Sequence, residues 1–305
     1  MNVTDLKCFF LEVYWEQTRR NVTGSILSSV VTALFALTAI LGNCIVMLVI
    51  CKTRELHSPS FTLLFCLASS DLLVGLVVQP CFVAYKLAEL LENFSAYCKL
   101  RMVQFFFGWI TSAVSLLTLT GVCLDRLLAL TLHLRYSSLI IVPRVVMVIV
   151  GVWIICSAGT IIKFWFDKWV ILPSITAMAT LLTITFCTSK IFQIALKHQR
   201  QINTRNQTMT NLQQNTVEVL KCKKSAITVL YVYGLLLAFY LPFVVVMVLE
   251  TIRGTTRSVG TAYDYATTVV LINSSINPIV YCWRIKLVRS AVKQYLKRLF
   301  FCNKS

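Results

Sequence analysis

The chain has 305 residues, of which 57% are hydrophobic and 13% are charged, and its formal net charge is +17. A soluble domain carries about 25% charged and roughly 45–50% apolar residues, so the composition excludes an ordinary water-soluble globule. It indicates a membrane protein. Because a helix needs about 20 apolar residues to cross a bilayer, the length accommodates several spans with short connections.

Apolar segments separated by short charged stretches follow one another along the chain. Seven of them are predicted to be transmembrane helices, at 25–51, 60–86, 100–131, 143–163, 169–196, 223–250 and 260–282. A shorter basic amphipathic segment extends from Trp283 to Phe301. The predicted fold is therefore all-α: a seven-transmembrane helix bundle at 25–282, after an N-terminal segment at 1–24 and before a short amphipathic eighth helix with a tail at 283–305.

Basic residues are distributed unevenly between the two sides of this bundle. If the N-terminus is outside, the inner segments hold 19 Lys and Arg against three acidic residues, whereas the outer segments hold 10 against eight. Because Lys and Arg are retained on the cytoplasmic side of short loops, we predict an extracellular N-terminus and a cytoplasmic C-terminus. Candidate N-glycosylation acceptors at Asn2, Asn21 and Asn93 then fall outside.

Polar side chains lie at a common depth in the predicted helices. Asp71, Ser115 and Asn273 are each eleven residues from the cytoplasmic edge of their helix, roughly 16 Å deep at a rise of about 1.5 Å per residue. Asn43 is nearly level with them, and Asn277 lies one turn closer to the cytoplasm. Inter-helical packing would account for Ser and Asn. A buried carboxylate must be protonated or paired with a cation, and the alternative that we favour is a sodium ion at Asp71, Ser115, Asn273 and Asn277.

Short motifs follow one another in a fixed order on successive predicted helices. They are Gly42-Asn43, Leu67-Ala68-Ser69-Ser70-Asp71, Asp125-Arg126-Leu127, Trp153, Phe239-Tyr240-Leu241-Pro242 and Asn277-Pro278-Ile279-Val280-Tyr281. In this order the motifs resemble the rhodopsin-like (class A) G-protein-coupled receptors over essentially the whole chain. The resemblance implies a plasma-membrane receptor that passes an extracellular ligand signal to heterotrimeric G proteins and is not an enzyme.

The resemblance also assigns a switch to the cytoplasmic side. Pro242 and Pro278 each remove a backbone hydrogen bond and kink their helices. In the family, the arginine matching Arg126 is neutralised by the preceding Asp125 at rest and meets the G protein on activation. The implied coupling and switch residues are Asp125, Arg126, Tyr240, Pro242, Asn277, Pro278 and Tyr281.

The sequence departs from the family pattern in its cysteines. The family pairs a cysteine at the outer end of the third helix with one in the second extracellular loop, but here that loop, about Lys163 to Trp169, has no cysteine. Cys8 and Cys98 lie in predicted extracellular segments, which are oxidising. We predict a Cys8–Cys98 disulfide, with two free thiols as the alternative. Cys302, after the eighth helix, is a candidate palmitoylation site.

Further departures concern the ligand and the resting state. Gly108 stands where amine receptors carry an aspartate, and Leu271 stands where opsins carry the lysine that binds retinal. The expected ligand is therefore a peptide, nucleoside or lipid, and the resemblance to melanocortin, adenosine and lipid receptors does not decide among them. Cys222 replaces the acidic partner of Arg126, which predicts a weak resting lock. The predicted pocket residues are Gly108, Trp109, Ser112, Tyr240, Phe243, Met247 and Thr267.

A polytopic transporter or channel is the alternative function. Such proteins show internal repeats, broken helix pairs or several ionisable residues along a pathway, whereas this sequence has a single mid-membrane Asp71. The charge of +17 lies mainly on the predicted cytoplasmic side. It indicates attraction to anionic membrane lipids and not to nucleic acid.

Overall fold

Long helices make up the computed structural model, which describes residues 6–8, 11–13, 22–132, 135–162, 171–205, 231, 233–250, 252 and 256–301. The long helices are α1 (Val22–Lys52), α2 (Pro59–Leu90), α3 (Phe94–Leu132), α4 (Val142–Ile161), α5 (Ile171–Arg205), α6 (Tyr233–Glu250), α7 (Arg257–Arg284) and α8 (Lys286–Phe301). A π-helical turn at Val74–Val78 interrupts α2. The predicted all-α seven-helix bundle, followed by an eighth helix, is confirmed.

Six of these helices, α1 to α6, contain segments long and apolar enough to cross a membrane, as judged over the described residues. Their outer faces carry large apolar side chains such as Leu34, Leu41, Met147 and Ile155, each more than 60% exposed. Exposure of this extent would destabilise a protein in water, but it matches contact with lipid tails. The bundle therefore presents a membrane-facing surface.

The polar face of α7 is buried inside the bundle. Ser274, Ser275 and Asn277 are each less than 10% exposed, and the hydroxyl of Ser275 donates a 2.7 Å hydrogen bond to the carbonyl of Phe35 on α1. Burial of polar residues against a neighbouring helix satisfies them without water. This explains why α7 is less apolar than the other six helices and still belongs to the bundle.

The two ends of the bundle are distinguished by their chemistry. The arginine end is the end where Arg126 lies near the last turns of α3, and the disulfide end is the end where Cys98 lies in the first turn region of α3. At the disulfide end, a short hairpin of β1 (Leu6–Cys8) and β2 (Leu11–Val13) pairs in antiparallel register. This hairpin was not predicted from the sequence.

Helix boundaries differ from the predicted ones by a few residues. The predicted helix 25–51 begins at Val22, and the predicted helix 169–196 continues to Arg205 as α5. Polar residues at helix ends carry no apolar signal, so a hydrophobic pattern underestimates the length of a helix that extends out of the bilayer. Other predicted features lie outside the described residues, namely Asn2, Asn21, Cys222, Cys302 and the loop at 163–169.

Candidate functional site

A buried polar cluster surrounds Asp71 on α2. The side chain is 0% exposed, and its Oδ2 atom accepts a 2.7 Å hydrogen bond from Nδ2 of Asn277 on α7. The hydroxyl of Ser274 lies within hydrogen-bonding reach of the same carboxylate. The other carboxylate oxygen, Oδ1, has no hydrogen-bond partner among the described residues. Two helices whose polar residues share one depth therefore meet at this carboxylate.

Asn43 on α1 closes the cluster by satisfying a backbone carbonyl. Pro278 has no N–H, so it cannot donate the helical hydrogen bond to the carbonyl of Ser274, four residues earlier. Nδ2 of Asn43 donates to that carbonyl at 3.0 Å and to the carbonyl of Ala39 at 2.9 Å. The kink at Pro278 is thereby tied to α1, and Oδ1 of Asn43 is left without a partner in the described part of the chain.

Ser115 on α3 joins the cluster through Ser70, the neighbour of Asp71. The two serine hydroxyls share a 2.9 Å hydrogen bond. Asn273, the remaining predicted ion ligand, is buried on α7. Hard cations are bound by oxygen atoms, and Oδ1 of Asp71 is a buried carboxylate oxygen that no described residue engages. The residues present therefore fit a sodium ion, with Asp71 as its charged ligand.

The arginine end carries a second polar group, centred on Asp125. This carboxylate accepts a 2.6 Å hydrogen bond from the Ser60 hydroxyl and a 2.5 Å hydrogen bond from the Tyr136 hydroxyl, and burial together with Asp125 raises the pKa of Tyr136. Nη2 of Arg126 lies 3.4 Å from Oδ2 of Asp125, and the arginine side chain is 40% exposed. Asp125 is thus held in place while Arg126 remains accessible to a partner.

A small cavity of about 10 Å³, with room for roughly one water molecule, lies between the cluster and the disulfide end. Its walls come from α2, α3, α6 and α7, and they are Val74, Gly108, Thr111, Ser112, Ser115, Tyr240, Val270, Leu271 and Ser274. Three of the predicted pocket residues, Gly108, Ser112 and Tyr240, line it. Because Ser115 and Ser274 also belong to the polar cluster, a molecule in the cavity would be adjacent to the cluster and to Tyr240 on α6.

Comparison with known protein families identifies the family to which this helix bundle belongs. The model of the family described as 7 transmembrane receptor (rhodopsin family) matches residues 42–174 and 170–281, most of the chain. The chain belongs to the rhodopsin family of seven-transmembrane receptors. It is therefore a multi-pass membrane receptor, as the motifs on its helices predicted.

Relatives of this receptor are similar at low identity over most of its length. The histamine H2 receptor of Cavia porcellus is 26% identical over 305 aligned residues, which cover 90% of this chain and 79% of the relative. Trace amine-associated receptor 2 of Homo sapiens is 24% identical, covering 87% of this chain and 80% of the relative. Melanopsin of Rattus norvegicus is 32% identical over 135 residues, which cover 44% of this chain and 28% of the relative.

The remaining predicted pocket residues, Trp109, Phe243, Met247 and Thr267, are not among the residues that line the cavity. The Trp109 and Phe243 rings are 6.3 Å apart between centroids, and the Phe243 and Tyr263 rings are 5.5 Å apart. Thr267 is buried on α7, and its hydroxyl has no hydrogen-bond partner among the described residues. Met247 lies one turn beyond Phe243 on α6. The rings of Trp109, Phe243 and Tyr263 thus connect α3, α6 and α7 of the receptor.

The predicted switch residues of the receptor other than Asp125 and Arg126 lie on α6 and α7, namely Tyr240, Pro242, Asn277, Pro278 and Tyr281. Tyr240 lines the cavity and lies within hydrogen-bonding reach of Ser112, and Pro242 follows it two residues later on α6. Pro278 packs against Gly42 of α1. Tyr281 is 6% exposed, and its hydroxyl has no hydrogen-bond partner in the described part of the chain.

The disulfide end of the receptor contains a charged cluster that the sequence did not reveal. Nζ of Lys86 lies 2.9 Å from Oε2 of Glu89 and 2.5 Å from Oδ2 of Asp264, so α2 is joined to α7, and the Lys86 side chain is 1% exposed. The guanidinium of Arg101 lies 5.5 Å from the ring centre of Tyr85 and packs against the neighbouring aromatic side chains. This cluster closes the bundle above the cavity.

The predicted cysteine pair and one glycosylation acceptor also lie at the disulfide end. Cys8 and Cys98 form a disulfide, with 5.4 Å between their Cα atoms, and Cys8 is buried against Phe82 and its neighbours on α2. Asn93 is exposed in the turn between α2 and α3, where its Oδ1 accepts a 3.0 Å hydrogen bond from the N–H of Ala96. The disulfide therefore ties the N-terminal hairpin to α3.

Proposed function

We propose that the receptor converts binding of a small extracellular ligand into guanine-nucleotide exchange on a heterotrimeric G protein. The observation that supports this most directly is the arginine end, where Arg126 is 40% exposed and only loosely paired, at 3.4 Å, with a firmly held Asp125. A guanidinium is charged at any physiological pH, so this arginine is available to a protein partner. The proposal includes no covalent chemistry.

Coupling between ligand and G protein is a shift between two populations of the bundle. A ligand favours the open arginine end only to the extent that it binds that state more tightly. Tyr240 supports this coupling because it lines the cavity and lies two residues before Pro242, the kink about which the arginine end of α6 would move. A ligand that contacts Tyr240 in the cavity would thereby influence movement of α6 at the arginine end.

The ligand that we propose is a small neutral or weakly polar molecule, such as a nucleoside, a lipid or a peptide side chain. Two of the relatives are named as receptors for amines, histamine and trace amines. None of the residues that line this cavity is acidic, and Gly108 has no side chain to pair with an ammonium group. Leu271 offers no amine for a Schiff base with retinal. The hydroxyls of Thr111 and Ser112 supply hydrogen bonds for a neutral ligand.

A sodium ion is proposed as an allosteric ligand of the polar cluster. Asp71, Ser115, Asn273 and Asn277 would hold it, and the ion would neutralise a carboxylate that is 0% exposed. We expect sodium chloride to raise the thermal unfolding midpoint of the purified receptor relative to choline chloride at equal ionic strength. The Asp71→Asn variant should lose this difference, and a difference that persists in Asp71→Asn would exclude the site.

Membrane lipid is a further proposed partner. Helix α8 contains no acidic residue between Lys286 and Phe301, and its basic residues are Lys286, Arg289, Lys293, Lys297 and Arg298. A basic amphipathic helix lies in the plane of an anionic membrane surface. The composition of α8 therefore supports contact with the inner leaflet.

A G-protein dissociation assay across the G-protein families tests the proposed function. We expect the receptor to raise basal dissociation of at least one G protein above that in cells without it, and Arg126→Ala to abolish the rise at equal surface expression. Candidate peptides, nucleosides and lipids are then screened on the responding G protein. If every G protein is unaffected, and the receptor in liposomes conducts ions, the transporter or channel alternative replaces the proposal.

A further inference from the structure

Tyr233, the first residue of α6, and Tyr231, two residues before it in the chain, each contact a neighbouring helix. The hydroxyl of Tyr233 shares a 2.8 Å hydrogen bond with the hydroxyl of Thr185 on α5. The ring of Tyr231 meets the ring of Trp283 edge to face, with 5.4 Å between centroids. The guanidinium of Arg284, at the end of α7, lies 4.9 Å from the centre of the Tyr231 ring. The arginine end of α6 is therefore held by one polar contact and one aromatic contact.

The two contacts tie this part of the chain to different neighbours. Tyr233 is bonded to α5, whereas Tyr231 packs at the end of α7, next to the start of α8. Movement of this part of α6 away from the bundle cannot preserve both contacts.

Arg284 is held by aromatic rings and not by carboxylates. Its guanidinium lies 4.9 Å from the Tyr231 ring centre and 5.0 Å from the Trp283 ring centre. Among the described residues no carboxylate forms an ion pair with it, and its buried Nε has no hydrogen-bond partner. A guanidinium close to the face of an aromatic ring is attracted by the ring quadrupole, by about 0.5–1 kcal/mol at an exposed site.

Among the described residues, Arg126 has no ion pair with α6 that would supply this restraint. Arg126 is paired with Asp125, its neighbour on α3, and a pair within one helix cannot tie that helix to α6. The sequence places Cys222 where related receptors have an acidic partner for this arginine, and a thiol offers no comparable charge. Contacts elsewhere must therefore hold the arginine end of α6 in the state in which Arg126 is paired with Asp125.

We infer that Tyr231 and Tyr233 are positioning residues that hold the arginine end of α6 closed, one against the Arg284–Trp283 pair and the other against Thr185. This inference rests on the proposed coupling to a G protein. Both contacts are lost when α6 moves outward, so each lowers the basal population of the open state. In this receptor the two tyrosine contacts take the place of an ionic contact between α3 and α6.

The same substitution at the two positions separates the two contacts. Tyr233→Phe removes the hydroxyl that bonds Thr185, whereas Tyr231→Phe keeps the ring that packs on Arg284. We expect basal G-protein dissociation per surface receptor to rise about threefold or more in Tyr233→Phe and in Tyr231→Leu. Tyr231→Phe is the matched control and should remain at the level of the unmodified receptor.

Two further variants keep the test independent of one substitution. Thr185→Val removes the other half of the α5 hydrogen bond at nearly constant shape, so it should match Tyr233→Phe, and combining the two should add nothing. If Tyr233→Phe does not reach the cell surface, Thr185→Val tests the same bond. Tyr231→Leu combined with Tyr233→Phe should multiply the two increases, because the two contacts share no residue.

Hydrogen–deuterium exchange of the α6 backbone provides a readout without a G protein. In purified receptor in lipid nanodiscs, exchange over 231–242 should rise in Tyr233→Phe and Tyr231→Leu but not in Tyr231→Phe. Raised exchange without any G-protein response, even from the unmodified receptor, would refute the proposed coupling and leave the contacts established. Unchanged exchange and basal activity in both variants, or Tyr231→Phe behaving like Tyr231→Leu, would overturn the inference.

Discussion

Gly42 lies where α1 crosses the kink in α7, and the contact leaves no room for a methyl group. A Cβ atom at Gly42 would lie 2.9 Å from both Cβ and Cγ of Pro278. The adjacent Asn43 donates to the Ser274 carbonyl that Pro278 leaves without its helical partner. The two residues therefore have complementary roles. Gly42 permits the close approach of α1 to α7, and Asn43 forms a hydrogen bond across it.

Replacing Gly42 by alanine should destabilise the receptor. The added methyl group overpacks the contact with Pro278, which costs about 1–3 kcal/mol of unfolding free energy and separates Asn43 from the Ser274 carbonyl. Gly151→Ala is the control, since nothing lies within 4 Å of a Cβ there and alanine favours a helix. Thermal midpoints of the two detergent-purified variants check this, and equal midpoints would show that α1 does not approach α7 this closely.

At the scale of elements, the disulfide end is held together by charge as well as by a covalent bond. Lys86 and Glu89 are on α2 and Asp264 is on α7, so their contacts fix the outer turn of α7 against α2. The predicted second helix ended at 86, and charged residues at the end of a helix are ordinarily solvated. Lys86 is buried by residues of α7 and α3. The sequence of α2 alone therefore does not predict its burial.

Loss of the Lys86 charge should destabilise the disulfide end strongly. Lys86→Met deprives the carboxylates of Glu89 and Asp264 of the cation that they contact directly, and breaking a buried ion pair costs about 3–5 kcal/mol. Lys99→Met, at an exposed lysine on α3 at the same end, is the matched control and should be nearly neutral.

The three-residue variant Lys86→Met, Glu89→Gln, Asp264→Asn checks the cause. Because it removes the unpaired charges together with the lysine, its thermal midpoint should lie above that of Lys86→Met alone. A midpoint as low as that of Lys86→Met would mean that the lysine stabilises this end by packing and not by charge.

Over the whole molecule, the sequence predicted positions along the bundle axis better than rotations about it. Hydrophobic run length and helical rise placed Asn277 within one turn of the level of Asp71, and the structure joins the two side chains at 2.7 Å. The same reasoning did not predict that Ser115 contacts Ser70, or that Tyr136 reaches Asp125 from the segment between α3 and α4. Rotation about a helix axis is decided by packing between helices, which a single sequence does not display.

The cavity illustrates the same limit. The predicted pocket contained Trp109 and Phe243 because aromatic residues at that level often meet a ligand. In the structure these rings pack on each other at 6.3 Å, and small residues such as Gly108 and Ser112 open the cavity beside them. The position and volume of a cavity depend on which side chains fill the space between helices. The residue types alone therefore do not predict where a cavity lies.

We predict the orientation of the whole molecule from its charge distribution. The segments predicted to be on the inner side carry 19 basic and three acidic residues, against 10 and eight on the outer side, so the positive-inside tendency favours a cytoplasmic position for the arginine end. An epitope at the N-terminus should be accessible to antibody on intact cells, whereas one at the C-terminus should require permeabilisation. The reverse result would place most of the positive charge outside and remove Arg126 from any G protein.

Glycosylation of Asn93 gives a covalent record of the same orientation. Asn93 is exposed between α2 and α3, and only a luminal or extracellular position allows the modification. The glycan is attached to Nδ2, so Oδ1 can still accept the N–H of Ala96 at 3.0 Å and cap α3. We expect Ser95→Ala to abolish one glycosidase-sensitive shift in the electrophoretic mobility of the receptor without loss of stability.

Asn93→Gln should abolish the same shift and also lower the thermal midpoint, because it removes the cap of α3. If neither variant changes the mobility, Asn93 is not glycosylated, and the accessibility of the two epitopes alone decides the orientation.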